Sequence, residues 1–153
     1  MKPKSYRRKT SRKKRQEAPA AGSPAPLAPA VPHPQATQCV EGILSDLPGL
    51  LAVAVVDTGS GMSLASHSNA PSINPDTAAA YNTEVVKQKQ KAMAALKLTD
   101  ETIEDILISL TSQLHLLKLL NNGSKFIYLV VSARDTNLAI AREVLRSHAE
   151  HLS

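Results

Sequence analysis

The sequence predicts an α/β fold of the α+β sandwich kind. Its elements run α-β-β-α-β-β-β-α, with a five-stranded, mostly antiparallel sheet and helices on both faces. Three observations predict it. Apolar residues at helical spacing open, divide and close the stretch from residue 36 to 152. Between them lie five short runs rich in Val, Ile, Leu and Ala. Turn sequences punctuate those runs: Pro48-Gly49, Asp57-Thr58-Gly59-Ser60-Gly61 and Asn121-Asn122-Gly123-Ser124.

Val40, Ile43, Leu44 and Leu47 predict a short helix over residues 36–47. Pro48-Gly49 ends it, since Pro cannot continue the hydrogen-bond ladder and Gly accepts left-handed geometry. Residues 50–57 are apolar on both faces, the pattern of a central strand. Ala52 and Ala54 share one face there, leaving room for close helix packing. Residues 62–67 alternate and predict a half-exposed edge strand. After a loop with Pro71 and Pro75, Asp76 or Thr77 caps a long helix reaching about Leu96. Its apolar positions include Ala78, Tyr81, Val85, Ala92, Met93 and Leu96, while Lys87 and Lys91 mark a solvated face. Residues 103–112, 113–120 and 125–134 predict three strands, the last two joined by the Asn-Asn-Gly-Ser hairpin. Asp135 or Thr136 caps a final helix over 137–152, with Leu138, Ala141, Leu145 and Ala149 inward.

Charge is divided unevenly along the 153 residues. The net +5 comes from a basic arm over residues 1–17, which holds nine cations against Glu17 and balances at +8. The remainder balances at −3. Arg7, Arg8, Lys9, Arg12, Lys13, Lys14 and Arg15 form the densest part of the arm. They repel one another and bring no apolar partner, so residues 1–37 are predicted disordered. Residues 18–37 are a Pro/Ala-rich linker that favours extended polyproline II. Arg7-Arg8 suggests a twin-arginine signal, but the segment downstream is too polar and proline-rich for one. No apolar run approaches 18 residues, so no membrane span is expected. The single cysteine, Cys39, excludes an internal disulfide, and a cytoplasmic location is expected. No Trp, one Phe and three Tyr leave few stacking platforms for single-stranded nucleic acid.

Helix coverage predicts self-association. Five strands make a sheet roughly 20–24 Å wide, whereas one helix covers about 10 Å. The first and last helices can share one face, but the middle helix alone cannot cover the other. Ile106, Ile108, Leu110, Leu114, Leu116, Leu117, Leu119 and Leu120 make the middle strands apolar on both sides. A monomer would expose a larger apolar patch than monomers tolerate. A second copy of the middle helix would cover it, giving a homodimer.

Two stretches resemble the roadblock domain, the dynein-light-chain and GTPase-regulator family. One is Ser45-Asp46-Leu47-Pro48-Gly49 with the strand Leu51-Ala52-Val53-Ala54-Val55-Val56-Asp57, a Gly turn and Met62-Ser63-Leu64-Ala65-Ser66. The other is the strand over residues 126–133 with Arg134-Asp135-Thr136-Asn137-Leu138-Ala139 entering the last helix. The resemblance covers a domain over about residues 38–152 and implies strand order 2-1-5-4-3. It implies that two protomers join their third strands into a continuous sheet, with their middle helices together. The dimer interface would then contain Ile106, Ile108 and Leu110, with Val85 and Met93 from the middle helix. It also implies a non-enzymatic adaptor or scaffold that binds a Ras-like small GTPase or another protein, with no cofactor. The paired helices would present Glu84, Lys87 and Lys91 to that partner. The alternative is a nucleic-acid- or membrane-associated factor acting through the basic arm, with the body serving to dimerise. On either reading the arm can make weak contact with nucleic acid or anionic membrane.

Other candidate sites read as structural. Val56-Asp57-Thr58-Gly59-Ser60 is similar to the active-site loop of aspartic proteases, whose chemistry needs two carboxylates sharing a proton. In a chain with three helices, Asp57 is instead expected to accept backbone N–H bonds in a hairpin turn. His148 and His151, three apart, lack a second ligand pair and read as solvated cations near a helix C-terminus. Asp100, Glu101, Glu104 and Asp105 fit no calcium loop. His115 reads as a packed or interface histidine and Cys39 as a small buried residue. Gly59 and Gly61 lack the Lys of a phosphate loop. Arg134 and Arg142 are the body's best-placed arginines, and Arg134, at a strand end, is expected to make a structural hydrogen bond.

Overall fold

The computed structural model describes residues 33–152. The basic arm, including Arg7 to Arg15, and the linker up to residue 32 lie outside the described residues. Helix α1 (Pro34–Asp46) begins inside the predicted linker, two residues ahead of its expected start. Pro34 suits a first helical turn, where no N–H partner is needed. Ala36, Cys39, Val40 and Ile43 are its buried face. Strand β1 (Leu50–Asp57) matches its predicted bounds and is buried along nearly all its length. Strand β2 (Ser63–Ser68) follows one residue later than expected, because the turn holds Met62 exposed.

Helix α2 (Pro75–Ala95) is capped by Asn74, not by Asp76 or Thr77. Asn74 Oδ1 accepts from the backbone N–H groups of Asp76 at 3.0 Å and Thr77 at 3.1 Å. Strand β3 (Asp105–Ser109) is about half the predicted length. Its hairpin turn closes at Leu110, whose N–H donates to Gln113 O, while Ile103 leaves the ladder to pack beside the core under α2. Strand β4 (Gln113–Leu120) has its predicted bounds, and β5 (Lys125–Ser132) stops two residues short. Helix α3 (Leu138–Ala149) is capped by Asn137, whose Oδ1 accepts from Ala139 N–H at 2.8 Å. Thr136, a predicted cap, instead donates its hydroxyl to Pro48 O at 2.9 Å and ties the start of α3 to the start of β1.

The strands form one sheet in the order β2-β1-β5-β4-β3, as the family resemblance implies, and every neighbouring pair is antiparallel. Helices α1 and α3 pack on each other and share one face, α1 over β1 and β2 and α3 against β4. Val53, Val55, Leu116, Ile127 and Leu129 point into that layer and meet Ile43 and Leu145. On the opposite face α2 lies mainly over β1 and β2 and shares a core with β5 and the inner part of β4. Ala52 and Ala54 give it the close approach that two small side chains allow, and Ala79 and Val86 pack against them with Val56, Phe126 and Tyr128.

Gly49 has φ of 76°, and a Cβ there would stand 2.5 Å from Thr136 Oγ1. The substitution Gly49→Ala therefore meets both a left-handed backbone and the Thr136–Pro48 link. It is expected to cost about 2 kcal/mol. A urea titration reads this as a lower midpoint at unchanged slope; an unaltered midpoint would show that the link is dispensable.

Candidate functional site

The apolar residues singled out on α2 are not the ones that face its own sheet. Pro75, Ala79, Thr83 and Val86 are buried against β1 and β2. Thr83 can sit there because its hydroxyl is satisfied within the helix, donating to Ala79 O at 2.8 Å. Small and self-satisfied groups suffice opposite a strand that offers Ala52 and Ala54. Tyr81 and Leu96, by contrast, are 75% and 70% exposed. With half-buried Val85 and exposed Ala92 they form an apolar stripe on the flank of the helix. A shallow groove runs along Val85 and Ala92, bordered by Glu84, Gln88 and Lys89.

Beside that flank the sheet lies open. The cross-strand register carries the α2 face outward from Ala52 to Val130, then His115, then Ile108. One step along, Leu117 stands opposite Ile106. Ile106 and Ile108 are half-buried and Leu110 is 51% exposed. No described helix packs over β3 on this face. The flank of α2 and the outer part of this face, His115 with Ile106, Ile108 and Leu110, therefore meet as the two walls of an apolar corner, while Leu117 and Leu119 of β4 are already buried in the core on this side. Of the five predicted interface residues, Ile106, Ile108 and Leu110 lie on the sheet wall and Val85 on the helix wall. Met93, half-buried, sits nearer the connection from α2 to β3, in a small cavity with Ile103 and Leu119.

One polar chain crosses the corner. Tyr128 is buried on β5, and its hydroxyl bonds His115 Nδ1 at 2.9 Å. His115 Nε2 bonds Gln113 Oε1 at 3.1 Å. Asn82 of α2 stands within hydrogen-bonding reach of the Tyr128 side chain. Burial pushes the tyrosine up from its ordinary pKa and the histidine down from its own.

The remaining candidates are placed as follows. Glu84 and Lys91 are exposed on α2, and half-exposed Lys87 sits between them, 3.8 Å from Glu84, which also borders the groove along Val85 and Ala92. Asp57 takes Ser60 N–H at 2.8 Å and Ser60 Oγ at 2.7 Å, as expected of a hairpin turn. Those two bonds, the hydroxyl first, hold its carboxyl below the usual range. Cys39 is buried and its thiol is pushed up to about 11 by burial. His148 is not the solvated cation that the sequence predicts. Its Nε2 bonds Asp46 Oδ2 at 2.8 Å, because α1 and α3 pack closely enough at Gly42 to bring the ring against α1. His151 is exposed.

Asp105 faces α3 and holds Arg142 in a two-point pair, at 3.1 and 3.0 Å. The pair lines a mixed-charge cleft of about 570 Å³ between α3 and β3–β4. The structural hydrogen bond expected of the Arg134 side chain is not seen among the described residues: Arg134 is exposed, and only its backbone N–H bonds, to Ser132 Oγ at 3.4 Å. Among the described residues, no group of three His, Cys, Asp or Glu is placed to hold a metal ion. Among them, too, no helix is long and apolar enough to cross a membrane.

An antiparallel sheet ordered 2-1-5-4-3, with two helices on one face and one on the other, is the roadblock fold. Solved structures with that fold match the chain over most of its length. The Roadblock/LC7 domain from Streptomyces avermitilis superposes with a TM-score of 0.64 at 13% identity, covering 76% of this chain and 92% of that one. MglB from Myxococcus xanthus gives 0.63 at 17% identity, covering 77% and 84%. The gliding protein MglB from Thermus thermophilus gives 0.58 at 20%, covering 84% and 98%. No family model matches the chain, and no curated protein matches it by sequence.

Proposed function

We propose that the chain is a homodimeric, non-enzymatic regulator or scaffold that docks a Ras-like small GTPase. The observation that carries this reading is the apolar corner between the flank of α2 and the open β3–β4 face. A patch of that size on a single copy calls for a partner, and a second copy fits it by symmetry. Strand β3 has a free edge, so two copies can pair through it and continue the sheet. The two α2 flanks then face each other across the joined β3 edges. The likeness of fold to MglB, with the sequence resemblance to roadblock-type GTPase regulators, supports the GTPase as the class of partner.

A regulator of this kind acts by geometry. Arg142 is engaged by Asp105 in a surface pair. The reading assigns any stimulation to holding the partner's own switch loops in place. The two middle helices offer one face across the two-fold axis, so one GTPase bound per dimer is the expected stoichiometry. The charge of the arm supports an additional, salt-sensitive contact with nucleic acid or anionic lipid.

Two measurements test this reading. The first is assembly: light scattering of the whole chain at about micromolar concentration should give the dimer mass. Ile108→Lys or Leu110→Lys should give monomer or aggregate, since a lysine would enter a desolvated seam. A monodisperse wild-type monomer contradicts the reading. The second is docking. The chain is titrated against Ras-like GTPases of its source organism, loaded with GDP or a non-hydrolysable GTP analogue. Lys87→Glu with Lys91→Glu should weaken binding by about ten-fold or more while the dimer mass stays unchanged. Unchanged affinity would move the docking surface to the α1–α3 face.

A further inference from the structure

His115 occupies an unusual place for a titratable group, in the floor of an otherwise apolar corner. One arrangement of protons satisfies its chain of contacts. Asn82 donates to the Tyr128 oxygen, the Tyr128 hydroxyl donates to His115 Nδ1, and His115 Nε2–H donates to Gln113 Oε1. In that arrangement the imidazole is neutral and both of its nitrogens are used. A proton added at Nδ1 would face the hydroxyl hydrogen already directed at it. The hydroxyl would have to turn to the Asn82 amide, itself reversed to offer its oxygen, since the rest of the floor is Leu117, Val130 and Ala54.

Nothing near the ring compensates a positive charge. Opposite it on β3 stands Ile108, and on β5 stand Val130 and the neutral phenol of Tyr128. Its own strand contributes Gln113 and Leu117, and α2 contributes Asn82. Among the described residues it has no ion-pair partner. Burial is the sole cause that lowers its proton affinity. In the dimer, the flank of α2 laid over this floor brings Val85 and Ala92 between Glu84 and Lys89. The Glu84 carboxylate already has Lys87 beside it at 3.8 Å, and Lys89 is a cation.

We propose that His115 makes assembly of this protein pH-dependent: the covered corner accepts the neutral ring and excludes the imidazolium, so protonation opens the dimer. The inference rests on the dimer proposed above. Its sign follows from linkage. A histidine whose proton affinity is depressed in the assembled state binds fewer protons there than in the separated state. The dimer is therefore fully stable above the pKa that His115 has in a separated copy, which burial already holds below the ordinary value of about 6.5, and weakens as pH falls through it. One pH unit below that separated-copy pKa, each excluded proton costs up to about ten-fold, so two symmetric copies give up to about 100-fold in the dissociation constant.

The experiment is sedimentation equilibrium of the whole chain at about pH 7.5 and about pH 5.5, with far-ultraviolet circular dichroism at both. His115→Phe and His115→Gln are measured beside the wild type; the Gln variant keeps a donor and an acceptor but cannot titrate. The expected result is a wild-type dissociation constant at least about four-fold higher at the lower pH, with folded circular dichroism. Both variants should change by less than about two-fold, and one that folds at the higher pH suffices for the comparison. A wild-type constant that does not move with pH overturns the inference while leaving the dimer intact. A variant that follows the wild-type profile, including shared unfolding at the lower pH, also overturns it. A wild type that is monomeric at the higher pH at every concentration fails the dimer reading itself, and this inference with it.

Discussion

The governing constraint in this molecule is one of area. Five strands at their ordinary spacing are about twice as wide as one helix. Two helices on one face close it, and the core there is continuous from α1 across the sheet to α3. One helix on the other face must choose a side. It sits over β1 and β2, where Ala52 and Ala54 let it come close, and leaves β3 and the outer part of β4 to something else. The apolar flank of α2, the free edge of β3 and the half-buried Ile106 and Ile108 all follow from that choice.

The same constraint divides what could be read in the sequence from what could not. Strand β1 carries a continuous apolar run and β4 a leucine-rich one broken by His115 and Lys118, both bounded by turn residues, and both have their predicted bounds. The uncovered face was legible too, because it depends only on counting strands and helices. Ends fixed by competition between neighbouring polar residues were not legible. Asn74, Asp76 and Thr77 can each cap a helix, and the winner is the one whose side chain reaches two free N–H groups. Thr136 was lost as a cap to a carbonyl far away in sequence, Pro48 O, which no local pattern reveals.

The orientation of α2 was the least legible feature. Hydropathy points to Tyr81, Val85, Ala92 and Leu96 as the buried stripe, and on a single copy that stripe faces out. The true inward stripe is made of Pro75, Ala79, Thr83 and Val86, where small volume counts for more than hydrophobicity. A helix with two usable apolar sides offers two packing surfaces, one used within this copy and one left open on it. The chain from Asn82 through Tyr128 and His115 to Gln113 lies at the junction of those surfaces. The sequence marked His115 as a packed or interface residue, but its partners come from three different elements and emerge only with the fold.

The central claim is that the edge of β3 is closed by a second copy of the same chain. Backbone hydrogen exchange along Asp105–Ser109, followed as the protein is diluted, tests it most directly. The N–H groups that β4 does not bond should exchange slowly at high concentration and lose protection on dilution, in step with the Tyr81 to Leu96 flank of α2. If those N–H groups exchange as a free sheet edge at every concentration, while β1 and β5 stay protected, no second copy closes this face.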